Sequence, residues 1–153
     1  MVTTALAAVS APLSAFSVES SEDPATLAAI AAGNACLDAF LAALHNGDAQ
    51  ARNATLNYPH VHLTHGQLRV WENAAAGTDF GCDAWDHSPW EERELLHATT
   101  ERLHIAVSFR RDEEADGPQG HFRALYVVTL QDGHWGIQAY ACHPLARLDV
   151  LLS

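Results

Sequence analysis

The stretch Arg102-Leu103-His104-Ile105-Ala106-Val107-Ser108-Phe109-Arg110 alternates without a break. Leu103, Ile105, Val107 and Phe109 fall on one side, and Arg102, His104, Ala106, Ser108 and Arg110 on the other. Successive side chains of a strand point to opposite faces, so the pattern predicts a long strand with one apolar face. Downstream, a polar connection over 112–120, tipped by Gly117-Pro118, leads into His121–Leu130, where Phe122, Ala124, Tyr126, Val128 and Leu130 repeat the alternation. Asp132-Gly133 then marks a hairpin, because both positions tolerate positive φ, and Trp135–Cys142 returns as the last long strand.

Working back from Arg102, Trp90–Ala98 reads as a further strand and Thr78–Asp86 as an irregular Gly/Asp-bearing loop. Glu72–Gly77 reads as a short helical excursion. Tyr58-Pro59-His60-Val61-His62-Leu63-Thr64 alternates as a strand, turns at His65-Gly66-Gln67, and pairs with Leu68-Arg69-Val70-Trp71. Before these lies helix. Asp23 can cap free amides and Pro24 suits the first turn. Leu27, Ile30, Asn34, Leu37, Leu41 and Leu44 form one stripe at helical spacing, ended by Gly47, and Asp48 caps a second helix over about 49–56. Residues 1–20 carry no sustained period and read as a flexible lead-in, which leaves 21–153 as one domain. Two helices followed by hairpin-linked strands predict an α+β fold, in which a cone-shaped, curved antiparallel sheet closes on the N-terminal helices.

Composition narrows the function classes. The 153 residues carry a formal net charge of -11, with no lysine and eight arginines supplying every fixed positive charge. Phosphate backbones and anionic lipid are bound by clustered cations, so nucleic-acid and membrane-surface partners are not expected. No run of 18 or more apolar residues calls for a membrane span. Three dispersed cysteines and an N-terminus without a basic start fit a cytoplasmic protein.

Several segments resemble the NTF2-like superfamily, in particular its SnoaL-like group. They are Phe40-x-x-x-x-His45-Asn46-Gly47-Asp48-Ala49, Tyr58-Pro59-His60-Val61, Val70-Trp71, His87-Ser88-x-Trp90, Tyr126-Val127-Val128-Thr129 and Gly133-His134-Trp135-Gly136-Ile137. The resemblance runs from about Ala25 to Cys142. It implies the cystatin-like roll of polyketide cyclases, ketosteroid isomerase and scytalone dehydratase, a small-molecule site, and a homodimer formed through the outer sheet face. One such fold serves many reactions, so the chemistry has to be argued from residues.

The densest constellation is Tyr58, His60, His62 and His65, of which the first three share a strand face while Val61 and Leu63 turn away. An imidazole there can serve as general acid or base, Tyr58 or Tyr140 can donate to a developing oxyanion, and Asp83 or Asp86 can orient the ring. Trp71, Trp85, His87, Trp90, Tyr126, Tyr140 and the stripe-breaking amide of Asn34 are expected to contact substrate. This set suits a cofactor-independent lyase or isomerase acting on a small, partly apolar organic molecule, and no nucleotide-binding motif is present. Two alternatives stay open: a ligand-binding dimer without catalysis, and a metal enzyme with His60 and His62 joined by His121.

Overall fold

The structure is a computed structural model that describes residues 23–64, 66–74, 89–111 and 120–144. The expected lead-in 1–20, the end of the helical excursion, and the 112–119 connection lie outside the described residues.

Helix α1 spans Pro24–His45 and α2 spans Ala49–Ala54. Asp23 caps α1, its carboxylate accepting from Thr26 N at 3.2 Å and Thr26 Oγ1 at 2.8 Å, and Asp48 caps α2 through Ala51 N at 2.9 Å. Gly47 separates the helices at φ 66°, a left-handed turn that a Cβ would strain. By length and composition α1 could cross a membrane, but Leu37, Phe40 and Leu44 are buried in the core formed with the sheet, which accounts for its apolar character.

Among the described residues six strands follow: β1 Leu56–Thr64, β2 Gln67–Trp71, β3 Trp90–Ala98, β4 Arg102–Arg111, β5 Gly120–Gln131 and β6 His134–Pro144. β4 and β5 bury the alternating sets expected of them, from Leu103 to Phe109 and from Phe122 to Val128, except that Leu130 is exposed. Asp132 and Gly133 both adopt positive φ, as the hairpin requires.

The expected cone requires correction. The strand order is β2-β1-β6-β5-β4-β3, so among the described residues β2 and β3 are the edges and the sheet is not closed. Nor is the sheet wholly antiparallel, because β1 runs parallel to β6. The physical reason is connectivity: hairpins impose antiparallel pairing on β3 through β6, whereas β1 and β6 meet without a hairpin between them and run in the same direction. What stands is an α+β fold with helix packed on one face of a mixed sheet.

Register then sets the faces. On the helix side one row reads Arg69, His62, Tyr140, Tyr126, Ile105, Leu95 across all six strands. On the outer side the corresponding row reads Val70, Val61, Ala139, Val127, His104, His97.

Candidate functional site

β1 is extended beyond its cis Tyr58-Pro59 bond, and its alternate imidazoles turn inward: His60 is 0% exposed and His62 1%. A buried imidazole must satisfy its nitrogens, and the hydrogen bonds identify the tautomers. His60 Nδ1 lies 2.8 Å from the Ile137 carbonyl oxygen, which can only accept, so Nδ1 carries the proton. In the neutral ring that leaves a lone pair on His60 Nε2, and this atom lies 2.8 Å from His62 Nε2. His62 Nε2–H therefore donates to His60, and the lone pair of His62 falls on Nδ1. The carbonyl on β6 thus sets the tautomers of two histidines in succession.

Burial holds both rings neutral. Desolvation is the first cause in each case, pushing His60 down to about 4, against a smaller upward pull from its bond to Ile137, and His62 to about 3. At His62 the charges of His60, Arg69 and Arg52 act in the same direction. Tyr58, half-buried, is raised by desolvation, with Arg52 opposing.

Aromatic rings surround the pair. His62 packs against Trp71 and Tyr140 with ring centroids 4.7 and 5.3 Å away, and His60 lies 6.0 Å from Trp71 and 6.4 Å from Tyr58. Tyr140 continues to Tyr126 at 5.0 Å, which meets Trp90 at 5.3 Å and Phe40 of α1 at 5.9 Å. The structure thus gathers Tyr58, His60, His62, Trp71, Trp90, Tyr126 and Tyr140 into one band on the helix-side face.

The other expected residues do not join this band. Asn34 is occupied at the rim of α1, where its amide donates to Ile30 O at 3.0 Å and its oxygen accepts from Arg93 at 3.1 Å, while Arg93 pairs with Asp38 at 2.8 Å. His121 points to the outer side, 3.1 Å from Arg110 and 3.9 Å from Glu91, and so cannot meet His60 and His62 on one ion. Among the described residues no three His, Cys, Asp or Glu side chains are grouped as metal ligands. Asp83, Trp85, Asp86 and His87 lie outside the described residues.

Two arginines were missed from sequence. Arg69 is the register partner of His62 across the β1–β2 hairpin, and counting back from the turn (Thr64 opposite Gln67, Leu63 opposite Leu68) would have found it. Arg52, on α2, acts on His62 through its charge, a long-range relation that no spacing encodes. A separate cavity of about 280 Å³, lined by His97, Thr99, Glu101, Arg102, Thr129 and Gln138 among others, lies at the strand ends away from the imidazole pair. We give it no part in the chemistry.

No family model matches the chain, and no curated protein matches it either. Solved structures do. A cystatin-like fold protein from Burkholderia xenovorans is similar at 18% identity, over 82% of this chain and 95% of that one, with a TM-score of 0.60. A ketosteroid isomerase-like protein from Erwinia carotovora atroseptica matches at 17% identity, 76% and 96% coverage and a TM-score of 0.54. An NTF2-like protein from Cytophaga hutchinsonii matches at 16% identity, 73% and 94% coverage and a TM-score of 0.55. At these identities the likeness is one of fold, and the fold is the NTF2-like, cystatin-like one.

Proposed function

We propose that the helix-side face binds a small, partly apolar organic molecule and that His62 exchanges a proton with it, making the protein a cofactor-independent lyase or isomerase. The observation that carries this reading is the relay from Ile137 O through His60 to His62, which fixes the tautomers and directs the lone pair of His62 to Nδ1. His60 is a positioning residue, since both of its nitrogens are engaged, one by the Ile137 carbonyl and the other by His62. Burial keeps His62 neutral, the form a base needs. Negative charge developing on a substrate oxygen beside the ring would stabilise the imidazolium once the proton has moved, and Tyr140, whose ring centroid lies 5.3 Å from that of His62, is the phenol assigned to donate to that oxygen.

The test is deuterium uptake from solvent at the acidic C–H of a panel of small aromatic ketones. The wild-type protein is expected to accelerate uptake, and His62→Phe to reduce it by about 10²–10⁴-fold, the usual contribution of a general base. Because kcat/KM reports groups of the free enzyme, its acid limb should lie well below pH 6.5, with a plateau through pH 5–7. Uptake unchanged in His62→Phe would remove the proposal.

A second reading is a binding protein without catalysis, favoured by one observation: an imidazole held at about 3 has little affinity for a proton. Ligands that bind the wild-type protein with no deuterium uptake at any pH would select it. Under either reading the protein is a homodimer through the outer sheet face. Supporting this, Leu63, Leu68 and Val70 are 50%, 66% and 49% exposed there, in rows that continue through Ala141 and Leu125 and through Ala139 and Val127.

A further inference from the structure

The inner row Arg69, His62, Tyr140, Tyr126, Ile105, Leu95 changes in chemistry along its length, from a cation at the open β2 side to aliphatic side chains under the helix. His62 and Tyr140 are buried, whereas Arg69 is exposed, so solvent reaches the row from the arginine end. Arg93 and Arg123 are held by Asp38 and Glu94, but Arg69 makes no ion pair among the described residues. Among the described residues its guanidinium has one long hydrogen bond, 3.4 Å to Gln67 Oε1. Among the described residues Arg69 thus meets no carboxylate and stands opposite a buried imidazole, a position suited to a ligand anion. The charge of Arg52 reaches the same imidazole from α2, so two cations act on His62 in the same direction.

We infer that Arg69 is a specificity-determining residue and that the ligand of this site is an aromatic or otherwise planar carboxylic acid, its carboxylate on Arg69 and its apolar body against Trp71 and Tyr140. This rests on the proposed use of the helix-side face. The guanidinium offers two parallel N–H donors that match a carboxylate, while a carboxamide of the same shape carries no charge and presents only one oxygen. Trp71 lies 4.7 Å from His62, so a ring seated there is carried up to the imidazole.

The experiment compares cinnamate with cinnamamide, and 2-naphthoate with 2-naphthamide, by isothermal titration. The Trp71 indole and His62 ring signals are followed by ¹H–¹⁵N NMR to confirm the location. Each acid is expected to bind at least about tenfold more tightly than its amide, a charge-assisted bond in place of a neutral one. Arg69→Gln should bring that ratio close to one while leaving amide affinity and thermal stability unchanged, and Arg102→Gln, on the outer side, should leave the ratio intact. Acid and amide binding equally at the Trp71–His62 signals would overturn the carboxylate inference and keep the site. A ratio that survives Arg69→Gln would overturn the role of Arg69. If neither ligand of either pair moves those signals, the site reading falls together with the inference.

Discussion

At His60 and His62 protonation and folding are in competition. An unfolded histidine titrates near 6.5, whereas burial brings these two down to about 4 and about 3. Between those limits the unfolded chain binds more protons than the folded one, so stability rises with pH. The contribution of the pair is fully present above pH 6.5 and is lost as the pH falls toward 4 and 3, each ring giving a slope of up to about 1.4 kcal/mol per pH unit. Urea midpoints measured from pH 7 to pH 5 should therefore fall steeply for the wild-type protein, and about half as steeply for His62→Phe, which retains one buried imidazole. An identical slope in the variant would mean that other groups carry the acid sensitivity. The inward direction of these rings was legible, because a strand places Tyr58, His60 and His62 on one face. The bond between them was not, since nothing in the spacing indicates that Ile137 presents a carbonyl to Nδ1.

Among the elements, the junction of α2, β1 and the β5–β6 hairpin depends on one amide and one glycine. Asn57, 4% exposed, donates to Thr129 O at 2.8 Å, Thr129 Oγ1 at 3.1 Å and His134 O at 3.2 Å. The ring of His134 bridges Asn57 Oδ1 at 2.7 Å and Ala54 O at 2.8 Å. The Asn57 side chain lies on Gly136, where an added Cβ would come within 2.6 Å of its Oδ1 and 2.8 Å of its backbone nitrogen. The nitrogen cannot give way, so Gly136→Ala should lower the unfolding free energy by about 1–3 kcal/mol, the range for forced overpacking. Chemical denaturation checks this, and an unchanged midpoint would show that the junction relaxes freely. α1 and the long strands β4, β5 and β6 were legible because each carries an uninterrupted period of its own. The neighbour of β1 was not, because period reports which face is buried and not which strand lies alongside. That gap produced the cone: a sheet assembled only from hairpins has no place for a parallel pair.

For the whole molecule, the dimer proposed above places its interface on the outer sheet face. Glu92, Glu94, Arg123 and Ser108 rim it on the β3 side, with Arg123 paired to Glu94 at 2.6 Å and Ser108 in contact with Glu92 at 3.4 Å. The β1–β2 side carries Leu63, Leu68 and Val70. Substituting Leu63→Glu together with Leu68→Glu puts like charges on both copies of a two-fold interface, and should convert a dimer to monomer in sedimentation velocity while leaving the circular dichroism spectrum unchanged. A species of the same mass in both proteins would refute assembly through this face.

The parallel pairing also bears on synthesis. β1 leaves the ribosome early, yet the strand that completes its hydrogen bonding is β6, the last of the sheet, which also brings the carbonyl that holds His60. Until residue 137 has emerged, the N-terminal hairpin has no second neighbour and its imidazole no anchor. Up to that point the strand that carries both imidazoles is paired on one side only, and the parallel contact with β6 completes it last.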